Sequence, residues 1–350
     1  MRSPFTLFFG IFSVMALSNA IVPVLPAFSG QSSLEGAIYA AYFLGAFIST
    51  LPAGILSDRY GRIPLMRLGL AITVASGLFL SVTLSPVPVL ALRLLEGVGA
   101  GIFVASAMSY VNSTEEHGKM SGYFMALLNA GLVLGLVCSG WLAEILHSPS
   151  AGILLFAVLS LIPAVTVFLV QESPLKVKAC DTAGLFTLVR EQRWLWYSSI
   201  VLIGITGVVS SLYPKFSGAS SDILGYWIAG MSVATIVAVL AASRLTLPEA
   251  AAIRWSALLM AAGVMASFYT PAGFLILGAL AGFVMIAQMA VLADLKDHQG
   301  IAMGLFSTAG YLGMALLPFL AGLVADSAGF FLAFIATALC AITVAGTIGR

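Results

Sequence analysis

Twelve apolar stretches, each near the length that crosses a bilayer, constrain this chain more than anything else in it. A helix rises 1.5 Å per residue, so roughly 20 apolar residues traverse ~30 Å of hydrocarbon. The stretches fall at about 5–28, 34–56, 64–84, 88–111, 120–144 and 151–171, then 194–216, 222–243, 253–270, 272–294, 301–325 and 329–349. Lipid offers backbone groups no hydrogen-bond partner, so spans of this kind are helices. With 61% hydrophobic and 8% charged residues, and a mean hydropathy of +1.09, the chain cannot supply the polar surface of a soluble globule. The expected class is an all-α polytopic membrane protein.

The cations orient it. Placing the N-terminus inside puts all but two of the 15 basic residues at the cytoplasmic face, the exceptions being Arg93 within the fourth span and Lys215 at the outer end of the seventh. Both termini are therefore expected in the cytoplasm. The apolar run from Phe5 to Phe28 is too long for a signal-peptide core and reads as a retained first helix. Cys138 and Cys340 lie in apolar runs and Cys180 in a polar cytoplasmic segment, so no disulfide framework is expected.

Between the second and third spans stands Gly54-Ile55-Leu56-Ser57-Asp58-Arg59-Tyr60-Gly61-Arg62-Ile63-Pro64, read as a short charged turn bounded by glycines, with Pro64 opening the next helix in its first turn. As a string, G-x-L-x-D-R-x-G-R resembles the loop signature between helices 2 and 3 of the major facilitator superfamily. Gly54, Leu56, Asp58, Arg59, Gly61 and Arg62 match, and Ile63 departs from the usual basic residue. The resemblance implies a cytoplasmic gate held by Asp58, with Arg62 tying neighbouring helix ends.

The fourth span reads Leu92-Arg93-Leu94-Leu95-Glu96-Gly97-Val98-Gly99-Ala100-Gly101. Arg93 and Glu96 lie roughly 7 and 12 Å inside the hydrocarbon edge. Charges at that depth must pair or face water, which makes them functional candidates: Glu96 as a proton acceptor and Arg93 as its modulator. The bland reading is a static ion pair between helices. The string also resembles the helix 4 signature of the superfamily's drug–proton antiporter branch, with Glu96 where glutamine is commoner. The branch's helix 5 signature, G-P-x-x-G-G, is eroded to Gly135-Leu136-Val137-Cys138-Ser139-Gly140.

Laying Gly118–Glu144 on Gly300–Asp326 matches Gly131 with Gly313, Gly140 with Gly322 and Glu144 with Asp326. Such a repeat implies a six-helix half over 1–171, a cytoplasmic linker over 172–193 and a second half over 194–350, in parallel orientation. Within the linker, 185–190 has the pattern of a surface-lying amphipathic helix. Gly97, Gly101, Gly131, Gly135, Gly140 and Gly313 read as helix-packing glycines. Asn19, Asn129, Gln288 and Tyr311 are the candidate substrate contacts, each of which could equally bond a neighbouring helix. Glu35 and Asp294, near span ends, are expected to be solvated.

No P-loop, metal-ligand spacing or nucleophile–base set is present, so neither ATP, a metal, another cofactor nor enzymatic catalysis is expected, and no basic aromatic patch suggests nucleic acid. The resemblance implies a plasma (inner) membrane transporter, functional as a monomer, that rocks its halves around a central site. The reading is proton-coupled efflux of a small amphipathic or weakly charged solute. An uncoupled facilitator or importer of the same fold, or a ligand-binding membrane protein that moves nothing, are the alternatives.

Overall fold

The protein, described from a computed structural model at residues 3–112, 114, 117–170, 188–242, 248–293 and 299–348, is all-helical. Its long helices are α1 (Ser3–Ala20), α2 (Ser32–Tyr60), α3 (Arg62–Ser81), α4 (Pro86–Asn112), α5 (His117–Ile145), α6 (Ala151–Thr166), α7 (Arg193–Ser217), α8 (Ser221–Ala242), α9 (Glu249–Tyr269), α10 (Ala272–Ala293), α11 (Gln299–Ala328) and α12 (Phe330–Thr347). Among the described residues, 12 segments are long and apolar enough to cross a membrane. Large apolar side chains such as Phe79, Val87, Trp141, Phe168, Val237 and Trp255 remain exposed, as they must when the solvent is lipid. Most of the linker expected at 172–193, together with Asp294 and His298, lies outside the described residues.

Two expectations need correction. The first span is not one α-helix: it changes at Ala20 into a 3₁₀ turn over Val22–Ala27. Pro23 carries no N–H for the Asn19 carbonyl four residues back, and the Val24 N–H bonds Ile21 instead. The tighter coil suits a segment with prolines at 23 and 26. Nor is the stretch from Gly54 to Tyr60 a turn. It completes α2, and the reversal is the single residue Gly61, whose φ of 103° only glycine adopts without strain. A charged helix end is tolerated there because exposed Arg59 and Tyr60 need no apolar partner.

The chain forms two compact units. The first comprises residues 1–28, 41–180 and 219–226, and the second 29–40, 181–218 and 227–350. In the first, α1 packs on α5, α3 on α4, and α6 on both α1 and α3. In the second, α7 packs on α11, α9 on α10, and α12 on both α7 and α9. The pairing repeats at an interval of six helices. The close approaches repeat with it: an added Cβ at Gly131 would collide with the Phe12 carbonyl of α1, and one at Gly313 with the Ile200 carbonyl of α7. Gly135 lies likewise against Ala16, and Gly140 against Ser221.

Candidate functional site

The fourth span brings its two charges together in the first unit. Arg93 and Glu96 are 1% and 0% exposed, and Arg93 Nη1 donates to Glu96 Oε2 at 2.8 Å. Spacing of three residues places both side chains on one face of α4. Two further elements enclose the arginine. Its Nη2 donates to the Ser18 carbonyl near the end of α1 at 3.2 Å, and its guanidinium carbon lies 4.6 Å from the Tyr42 ring centroid on α2. A planar cation thus meets an anion in its plane and an aromatic face beside it, a combination lysine could not satisfy. Glu96 Oε1 is buried without a hydrogen-bond partner, so the carboxyl retains an acceptor position that the ion pair does not use.

Glycines set the distances. A Cβ at Gly97 would collide with the Tyr42 backbone carbonyl, and one at Gly101 with the Ser49 hydroxyl. Gly45 of α2 lies equally close to the Leu94 carbonyl. The α2–α4 contact is therefore backbone against backbone, which draws the Tyr42 ring onto Arg93. Nothing in the residues around 93–101 points to position 42. The end of α1 does carry a signal, since Pro23 marks carbonyls without their helical donors.

One of those carbonyls explains the eroded fifth-helix signature. The fully buried Ser139 hydroxyl, standing where the signature has glycine, donates to the Ala20 carbonyl. Replacing Ser139 by Ala is expected to leave that carbonyl unsatisfied at a cost of about 1–2 kcal/mol, visible as a lower midpoint in thermal unfolding of the purified protein. An unchanged midpoint would show that Ala20 finds another donor.

The other candidates are dispersed. Half-buried Asn19 donates to the Leu132 carbonyl at 3.4 Å across the α1–α5 seam, and Asn129 donates to Met125 of its own helix at 2.7 Å. In the second unit Gln288 is fully buried, its amide nitrogen donating to Ser198 at 2.9 Å while its oxygen meets no donor. Tyr311 is half-buried in α11. Arg62, at the start of α3, donates from Nε to the Ser109 hydroxyl of α4 at 2.9 Å, joining two helix ends. The side chain of Asp58 lies outside the described residues. Gly54 has open space where a Cβ would stand, so helix contact is not what places glycine there. Among the described residues no group of His, Cys, Asp and Glu could hold a metal ion.

The sequence model of the Major Facilitator Superfamily matches residues 7–311. The chain belongs to this superfamily. Among its relatives, the multi-drug resistance efflux pump PmrA of Streptococcus pneumoniae is 28% identical over 251 residues, covering 65% of this chain and 61% of that protein. The quinolone resistance protein NorA of Staphylococcus aureus is 26% identical over 154 residues, 41% of this chain and 39% of its own. Each match thus spans less than two thirds of the relative's length. The fold also resembles solved structures end to end. A D-xylose–proton symporter superimposes with a TM-score of 0.77 at 17% identity, covering 100% of this chain and 96% of its own. For the human organic anion transporter MFSD10 the TM-score is 0.73 at 18% identity, with 99% of both chains covered. At such identities these likenesses speak for the fold alone.

Proposed function

We propose that this superfamily member is a secondary transporter that exports a small amphipathic or weakly charged solute in exchange for protons. The observation that carries the reading is the Arg93–Glu96 pair. It is a membrane-embedded carboxyl held by one cation, with its second oxygen unbonded. Such a group can exchange a proton when access alternates, because its partner stabilises the ionised form while burial opposes it. The likeness to the multi-drug resistance efflux pump PmrA supports the direction.

In this reading the six-helix halves, 1–171 and 194–350 joined by 172–193, move as bodies, which the recurrent helix pairing supports. Both termini lie in the cytoplasm, and the protein acts as a monomer in the plasma membrane. Asn19, Asn129, Gln288 and Tyr311 contact the solute. Asp58 and Arg62 govern a cytoplasmic gate, and the Arg62–Ser109 bond supports that role for the arginine. The protein converts nothing chemically and needs no cofactor.

A second reading draws on the same geometry. Burial to 1% or less on both partners suits a static tie, leaving an uncoupled facilitator. Flux in proteoliposomes separates the two. Under the proposal, an imposed pH gradient drives an amphipathic substrate uphill, and Glu96→Gln lowers that component by about 100-fold while leaving downhill exchange. The magnitude is that of removing one essential proton-transfer group. Gradient-driven uphill flux that is unchanged in Glu96→Gln would remove the proton role from this residue.

A further inference from the structure

Glu35, expected to be solvated near the end of its span, is instead 1% exposed, and neither carboxyl oxygen has a hydrogen-bond donor. It sits in the first turn of α2, in the part of that helix belonging to the second unit. This turn rests closely on α11: an added Cβ at Gly36 would press on the Pro318 carbonyl, and one at Gly322 on the Ser32 carbonyl. A solvated position would need α2 to stand away from α11, and the glycines draw it in.

The charges around this turn are nearly all committed elsewhere. Asp326 of α11 caps the start of α2, accepting from the backbone N–H groups of Ser32 at 2.8 Å and Ser33 at 2.7 Å. Lys215 of α7 donates to the Gly30 carbonyl at 2.7 Å, which leaves its ammonium 3.8 Å from Glu35 Oε1, too long for a hydrogen bond. Among the described residues, Lys215 and Asp326 are the charged groups facing Glu35 from the helices packed on it, one of each sign. An ionised carboxyl here would be desolvated, unbonded and opposed by Asp326, with one loosely placed cation in its favour. A protonated carboxyl avoids most of that penalty.

We infer that Glu35 is a proton-binding site that latches the first turn of α2. The turn seats against α7 and α11 when the carboxyl carries a proton, and it releases when the proton is lost to water. Seating binds a proton that the released turn does not hold, so the seated population rises as pH falls and declines as pH rises. Glu35 thereby adds a second ionisable group to the one on α4. The inference rests on the transport reading only for its direction: with this end of α2 outward, the latch takes its proton from outside. Proton-linked seating itself requires no flux.

The test uses the full-length protein in lipid nanodiscs, its three cysteines replaced and spin labels placed at exposed Gln31 and Ser327. Between pH 5 and pH 9 the fraction with widely separated labels should rise about tenfold. Glu35→Gln, which cannot ionise, should hold the short distance at every pH. Lys215→Met, which removes the one cation near Glu35 among the described residues, should move the midpoint to higher pH, and this arm keeps the test informative if the glutamine variant folds poorly. Glu96→Gln should preserve the response, which distinguishes failure of the latch from failure of the proton role on α4. A pH response that survives in Glu35→Gln, one abolished by Glu96→Gln instead, or no response in the parent protein would overturn the inference.

Discussion

Replacing Arg93 by Leu is expected to destabilise the protein by about 3–5 kcal/mol, and replacing Glu96 by Leu in the same chain should restore most of the loss. The asymmetry follows from the site. Among the described residues Arg93 is the one cation the Glu96 carboxylate contacts, and both are sealed from solvent. Removing it strands a buried charge, frees the Ser18 carbonyl and leaves the Tyr42 face without its cation. Removing both charges together strands neither, and an apolar pair of similar volume fills the space. Chemical unfolding of the single and double variants in detergent measures the coupling. A double variant no more stable than Arg93→Leu would mean that the arginine's other contacts, and not the ion pair, dominate the site. If the proposed function holds, the cycle also separates roles: a fold rescued without recovery of gradient-driven flux places the pair in coupling.

Gly97→Ala is expected to cost about 2–3 kcal/mol despite adding a single methyl group. The new atom would meet the Tyr42 backbone carbonyl, and backbone yields far less readily than the end of a flexible side chain. Moving α2 outward would also lift the Tyr42 ring from Arg93, so under the proposed function uphill transport should fall along with stability. Gly54→Ala makes the matched comparison. It lies in α2 with no atom within 4 Å of the added group, and alanine in a helix gains about 0.5–1 kcal/mol over glycine. Thermal unfolding should therefore shift in opposite directions for the two variants. Equal shifts would refute the packing account of the α2–α4 contact.

Much of this architecture could be read from residue order. Apolar length alone yields twelve crossings, because the hydrocarbon layer has one thickness and a helix one rise. The pairing of Arg93 with Glu96 was legible because three residues separate them on a helix, and the reversal at Gly61 because a charged, glycine-bearing stretch interrupts two apolar runs. Local proline chemistry was under-read: Pro23 and Pro26 convert the end of the first span to a 3₁₀ turn, and the Ala20 carbonyl it frees is where Ser139 attaches.

What the order of residues could not disclose is everything that depends on which helices are neighbours. Ser139 looked like a defect in a glycine signature until Ala20 lay beside it, 119 positions away in the chain. Tyr42 carried no mark of its place beside Arg93. Glu35 read as a solvated helix start, and its burial follows from Asp326 and Gly322, almost three hundred residues further on. Hydropathy determines how deep each residue sits along the membrane normal, since water and lipid differ by kilocalories per side chain. It is nearly silent about lateral order, because lipid tails and apolar side chains are equivalent surroundings for a helix face. That order is set by small residues admitting a backbone and by a few polar groups finding partners, both of which exist only once the helices are packed.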